Sequence, residues 1–476
     1  MYMEATQRQE KQFNVIPIMI SLLMAGFIGL FFETALNMAF SDLMRVFYIN
    51  AATVQWLTTG YLLTIGILVP ISALLIQWFS TRKLFITSVI FSILGTIISA
   101  IAPIFGILLM GRMLQAIGTG LLLPLMYNVV LVIVLPKKRG TAMGLIGLVM
   151  MTSLALGPTI SGLVIDTLSY HWLFWLAIPF YIIALLCSVF YMQNVSTVTK
   201  PKIDLWSILL STVGFGGMVY GFSGVGKGES TSIVIVTLIV GVLSLFLFST
   251  RQFSIKSPIV NLRAFKQPMF ALGALMVVVN MIIILTANLL LPIYLQDGMA
   301  FTALIAGLIL LPGGILNGIM APINGRLFDR FGPKWLVIPG FIIAFVALWF
   351  FSTIESGTSV KVIIGLYMCL MLGTSMVMMP AQTNGLNQLD ADLYPHGSAI
   401  INTMQQVAGA LGTATAATMM TVGQQSYLAN VAAPANAGNI AASLTAGVQN
   451  AFIFAMVVAA IGLVLAFFIK RVKVRD

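Results

Sequence analysis

The chain has 476 residues, 59% of them hydrophobic and only 8% charged, with a mean hydropathy of +1.04. So little charge excludes a soluble domain of this size and indicates an all-α polytopic membrane protein. The formal net charge of +11 would suit a nucleic-acid partner, but its distribution along the chain assigns it to membrane topology instead.

Apolar runs long enough to cross a bilayer as helices of roughly 20 residues recur from end to end. In chain order we expect fourteen spans, at 14–39, 52–76, 84–103, 105–135, 141–165, 172–193, 205–225, 232–250, 269–295, 302–325, 335–353, 361–381, 397–422 and 447–470. The first run is too long for a secretory signal and has no obvious small-residue cleavage site, so it is expected to remain as a span. With fourteen spans both termini share one side. The other side receives only Arg45, Lys227 and Lys361, and Arg112 lies within a span. Every other Lys and Arg falls on the side of the termini, which places both termini in the cytoplasm. No nucleic acid is needed as a partner; anionic membrane lipids can take up some of this charge.

Charges inside spans are rare and mark function. Glu33 in "LFFETALNMAF" lies about eight residues before the outer end of span 1, and Arg112 about eight residues into span 4. At 1.5 Å per residue both sit roughly 12 Å below the outer boundary, a depth that permits a direct or water-bridged pair if the spans adjoin. A carboxylate with a partner that can come and go suits proton coupling; a static buried pair is the alternative. Thr34 and Asn37 add a polar patch to the same helix, with Asn37 one turn beyond Glu33, and both are candidates for a substrate cavity. Gln115 follows Arg112 by one turn, and Gly118 and Gly120 permit close helix approach. On span 5, "SLALGPTISG" spaces Ser153, Gly157 and Ser161 four apart, with Pro158 as a kink. Tyr61, Asn280 and Asn288 are polar groups in apolar helices and are candidates for a substrate cavity, whose apolar lining the 28 Met and 31 Phe can supply.

Between spans, residues 194–204 form a polar linker and 423–446 the longest external loop. The loops "LIQWFSTRK" (75–83) and "GRLFDRFGPK" (325–334) align on Phe79 and Phe331, each with a basic residue three positions later. Both follow the second span of a six-helix set. The repeat divides the chain into a first bundle (1–193), a linker with two extra spans (194–268) and a second bundle (269–476). Cys187 and Cys369 lie in apolar runs as packing residues, and His171 and His396 are expected in loops. The sequence has no Walker A motif and no Cys/His cluster, so neither an enzyme nor a metal site is expected.

Several of these stretches occur together, in order, in one family. "GRMLQAIGTG", "LALGPTISGLVIDTLSYHWLFWLAIPF", "LLLPIYLQ", "GRLFDRFGPK" and "GSAIINTMQQVAGALGTA" make the chain resemble the fourteen-helix drug:proton antiporters of the major facilitator superfamily, similar to quaternary-ammonium-compound exporters. The resemblance covers nearly the whole length. It implies a bacterial membrane exporter of amphipathic compounds, monomeric, powered by the proton gradient and without a bound cofactor. Two six-helix bundles would rock about a central cavity, with Glu33 carrying the proton and Arg112 and Gln115 assisting. It also implies gating roles for Gly157 and Pro158, and for Gly325, Asp329, Arg330 and Gly332 of the loop signature. Three departures stand out. Phe32 occupies the family's usual acid position, so Glu33 is turned by about 100° around the helix. Gln77 replaces the acid of the first loop signature, and Ser153 and Ser161 replace two glycines. Export of a physiological lipid or metabolite, and a non-transporting receptor or scaffold, are the alternative functions.

Overall fold

Unpaired backbone groups in lipid cost several kcal/mol each, and a helix satisfies them internally, so the apolar runs fold as helices. The structure is a computed structural model describing residues 14–472, apart from 50, 55, 196–197, 202–203, 226–229, 256–257, 356 and 432–436. Of the basic residues used for topology, Arg8, Lys11, Lys202, Lys227, Lys256, Lys473 and Arg475 lie outside that set. The first bundle comprises α1 (Val15–Ala35), α2 (Trp56–Trp78), α3 (Thr81–Ala100), α4 (Phe105–Ile133), α5 (Arg139–Thr167) and α6 (Tyr170–Tyr191). Then come α7 (Leu205–Val225) and α8 (Thr231–Ser254). The second bundle comprises α9 (Pro268–Ile293), α10 (Ala303–Phe331), α11 (Lys334–Phe351), α12 (Val360–Leu386), α13 (Tyr394–Ala429) and α14 (Ala437–Ala466).

Among the described residues, 13 helical segments are long and apolar enough to cross a membrane. The long helix left out is α13, whose "GALGTATAATMMTVGQQS" is too rich in Gly, Ala, Thr and Gln. It needs less hydropathy because it packs inside, against α2, α4, α7, α9 and α14.

The packing repeats with an offset of eight helices. In the first bundle α1 packs on α4, α5 and α6, α3 on α4 and α6, and α2 on α4. In the second, α9 packs on α12, α13 and α14, α11 on α12 and α14, and α10 on α12. The bundles meet mainly through α5 on α10 and α2 on α13, equivalent pairs under the same offset. Helix α7 bridges them along α2 and α13, with α8 packed against it.

Three expectations are corrected. Span 1 leaves α-helical geometry at Ala35, continues as a 3₁₀ turn over Leu36–Ala39, and turns into a separate helix, Phe40–Phe47. That helix exposes Arg45 beside Asp42, polar groups that belong at the membrane surface rather than in a continued span. The segment 423–446 is mostly not a loop: α13 runs on to Ala429 and α14 begins at Ala437. Its alanines are the strongest helix formers, and α13, with 36 residues, reaches roughly 54 Å and outruns the hydrocarbon core. His171 and His396 lie in the first turns of α6 and α13 rather than in loops. The 194–204 linker is pinned to the α2–α3 turn. Gln77 O accepts from the Thr199 and Lys200 amides, and Trp78 Nε1 donates to Pro201 O at 2.8 Å.

Candidate functional site

Close backbone approach builds the buried layer of the first bundle. A Cβ on Gly95 or Gly111 would collide with the facing helix, so these glycines let α3 and α4 touch. That contact brings Thr96 Oγ1 within 2.8 Å of Gln115 Nε2, and Gln115 Oε1 accepts from Arg112 Nη1 at 2.9 Å. The second guanidinium nitrogen crosses to α1, donating to Phe32 O at 2.7 Å. Tyr61 of α2 completes the cradle. Its ring centroid lies 4.2 Å from the guanidinium carbon, and its hydroxyl donates to Gly29 O at 2.8 Å. Arg112 is thus fully buried, held by a carbonyl, an amide and an aromatic face. A buried cation without a carboxylate on its guanidinium leaves its charge available to a nearby acid.

Glu33 is that acid. Spans 1 and 4 adjoin, and the two groups share a depth: Arg112 grips the carbonyl immediately before Glu33. Among the described residues the carboxylate has no ion pair within 4.0 Å and no hydrogen bond, yet it stands in the electrostatic field of Arg112. It is half-buried, whereas Phe32 is fully buried and stacks on Phe174 of α6 with centroids 5.3 Å apart. The one-residue shift of the acid therefore turns it out of the sealed layer between α1, α4 and α6. On its other flank, Thr34 Oγ1 donates to Leu154 O of α5 at 3.3 Å, and Gly157 leaves the room that this hydroxyl occupies. The side chains of Asn37 and Pro158 lie outside the described residues.

The remaining cavity candidates separate. Tyr61 is fully buried beneath Arg112. Asn280 is fully buried in the second bundle, donating to Thr374 O of α12 at 3.2 Å, and Asn288 is exposed, accepting from Tyr367 at 3.0 Å. A narrow cavity between the bundles is lined by Gly147 and Met151 of α5, Ile284 of α9, Asn317 of α10, and Ser375 and Met379 of α12, among others.

At the end of the molecule where the described chain begins and ends, the bundles are latched. Asp329 at the end of α10 accepts from Gly140 N (2.8 Å), Thr141 N (2.9 Å) and Thr141 Oγ1 (2.7 Å) at the start of α5. The carboxylate caps a helix of the opposite bundle, where free amides and the helix dipole favour negative charge. Gly325 places the α10 backbone directly against Gly140. At the equivalent position of the first bundle Gln77 reaches the start of α13, with Nε2 at 3.2 Å from His396 Nε2, a neutral contact in place of a charged cap. Gly332, with φ +85, ends α10 in a conformation that disfavours side chains. Arg330 is exposed over the Phe331 ring and makes no cross-bundle bond among the described residues. At the outer halves, Gly162 of α5 and Gly307 of α10 face open space.

Sequence reasoning passed over Arg139, which is buried in this latch. Its Nη1 donates to Asn387 Oδ1 at 3.2 Å and Tyr394 OH at 3.0 Å across the bundles. Nothing in the run "PKKRG" separates it from its exposed basic neighbours. Asn317 and Asn324 were passed over too, although the signal that singles out Asn280, an amide in an apolar helix, applies to them equally.

Residues 22–413 match the Major Facilitator Superfamily. The chain is 61% identical to the lincomycin resistance protein LmrB of Bacillus subtilis, covering 100% of both chains. It is 57% identical to the protein of that name in Listeria monocytogenes, over 99% of this chain and 100% of the other. A multidrug resistance protein B homolog of Mycobacterium tuberculosis is 25% identical over 82% of this chain and 73% of its own. Among solved structures, the human organic anion transporter MFSD10 (TETRAN) aligns with a TM-score of 0.64, over 95% of this chain and 98% of its own. At 14% identity that is a likeness of fold alone.

Proposed function

Because the chain belongs to the major facilitator superfamily, we propose that it exports amphipathic drugs, lincosamides among them, across the cytoplasmic membrane in exchange for protons. It is a multi-pass membrane transporter, not an enzyme. The observation that carries the coupling is a half-buried carboxylate, Glu33, in the field of a fully buried arginine that no carboxylate among the described residues pairs. The basic end, with both termini, is the cytoplasmic end.

The cycle follows from these groups. With the cytoplasmic latch of Asp329 on α5 closed, Glu33 takes its proton from the outer side and becomes neutral. Release of the latch opens the cytoplasmic side. There the arrival of a cationic substrate favours the carboxylate form. The proton leaves to the cytoplasm and the substrate is carried outward as the latch re-forms. Protons and substrate thus bind alternately, which is the requirement for antiport.

The test is substrate uptake by everted membrane vesicles under an inward-acid pH gradient. Wild-type protein should accumulate lincomycin and lose it when the gradient is collapsed. Glu33→Gln should bind substrate with no gradient-driven accumulation. Wild-type accumulation by Glu33→Gln would remove Glu33 from the coupling.

A further inference from the structure

Three asparagines of the second bundle are oriented by their neighbours in one consistent way. Asn280 Nδ2 donates to Thr374 O at 3.2 Å, and Asn317 Nδ2 donates to Met371 O at 3.0 Å and Thr374 Oγ1 at 3.2 Å. Backbone carbonyls only accept, so both amides must turn their NH2 groups to α12. Asn324 Nδ2 lies 3.0 Å from Ser375 Oγ, and that hydroxyl spends its hydrogen on Asn317 O at 3.2 Å. Ser375 Oγ is therefore an acceptor, and Asn324 must donate as well. Each NH2 group is turned to α12 by at least one hydrogen bond, which leaves the side-chain carbonyls facing away from it. The Oδ1 atoms of Asn280 and Asn324 are buried with no partner, and no hydrogen bond among the described residues reaches Asn317 Oδ1.

Their position gives these free acceptors a use. Asn317 and Ser375 line the cavity between the bundles, together with Ile284, Met151 and Met379. Asn280 lies one turn from Ile284 and Asn324 about one turn from Ala321, another lining residue, both displaced toward the latched end. While the latch is closed Asn280 and Asn324 are fully buried, and opening that end would bring them to the cavity mouth.

We propose that Asn280, Asn317 and Asn324 form an acceptor comb that binds substrates carrying several hydroxyl or N–H donors beside an apolar body. The comb takes the donors and the methionine and isoleucine side chains take the apolar part. This rests on the export reading and assigns it a substrate class. Closing the latch breaks the comb's access to substrate, so binding is strong on the latched side's opening and weak after it, the order that export needs.

The experiment uses two probes in vesicles energised by a pH gradient: lincomycin, rich in donors, and tetraphenylphosphonium, a cation with none. Asn317→Ala and Asn324→Ala should each raise the lincomycin KM about tenfold, the loss of roughly one hydrogen bond, and change that of tetraphenylphosphonium less than about twofold. In the unmodified protein, O-methylated lincomycin should compete at least about tenfold more weakly than lincomycin, a comparison that needs no variant to fold. Equal loss for both probes, or equal competition by the methylated compound, overturns the comb. Gradient-driven movement of tetraphenylphosphonium without lincomycin binding overturns the comb and the lincosamide part of the export reading, and leaves proton-driven export standing. Movement of neither probe overturns both.

Discussion

Arg112 makes contacts that a lysine cannot reproduce. Its planar guanidinium donates to Phe32 O and Gln115 Oε1 at once while lying 4.2 Å from the Tyr61 centroid. A lysine keeps the charge but not the fork. Arg112→Lys should retain partial gradient-driven export, and Arg112→Ala should reduce it at least about tenfold, since removal leaves two acceptors unpaired in a buried layer. Vesicle uptake rates distinguish these outcomes, and equal, near-normal rates would exclude a charge role. Gly157 is the second residue with a sharp expectation. A Cβ there collides with Thr34 Oγ1, the neighbour of Glu33. Gly157→Ala should push α1 from α5 and cost about 1–3 kcal/mol of packing. Its export should fall while expression persists, and Thr34→Ala in the same chain should restore part of it. Glu33 and Arg112 were legible in the sequence because charge in an apolar run is rare. That Arg112 would bind the Phe32 carbonyl rather than the Glu33 carboxylate was not, because depth along two helices does not specify their rotation.

Helices α7 and α8 are stapled at one end by Asp204. Its carboxylate accepts from Arg251 Nε at 2.6 Å and Nη2 at 2.9 Å, and from Ser207 Oγ at 2.6 Å. Gln252 extends the staple, donating to Ser207 and accepting from Val260 N. The Arg251 hydrogen bonds hold the Asp204 carboxyl at about 2, below its ordinary 3.8. A lowered value means stabilisation that is complete above the unfolded value and is lost as pH falls through the folded one. Asp204→Asn should therefore lower the melting temperature by about 2 °C at pH 7. The difference from wild type should stay constant down to about pH 4 and shrink below it. Thermal unfolding in detergent across that range checks it, and a difference that grows on acidification would contradict the staple. At this scale hydropathy placed most helices well. It stopped short where helix formation comes from alanine propensity and internal packing instead, as at the end of Tyr394–Ala429 and from Ala437 onward.

Across the whole molecule, the eight-helix offset makes α5–α10 and α2–α13 equivalent seams, but among the described residues only one carries a charged cap. Asp329→Asn should weaken the latch and shift the population about tenfold toward the form open at the basic end. Distances between spin labels on the basic ends of α5 and α10 would report it as a longer mean, and an unchanged distribution would show that packing alone closes the seam. The loop repeat at 75–83 and 325–334 is the sequence feature from which two bundles are expected. The trans-capping of α5 by Asp329 was not visible, because it joins residues 189 positions apart.

The central claim is that Glu33 exchanges a proton for substrate, and a pH indicator tests it most directly. Adding lincomycin to purified protein in weakly buffered detergent should release about one proton per transporter, and none from Glu33→Gln, which still binds the drug. Equal proton release from the two proteins, or drug binding by wild type with no release, would contradict it.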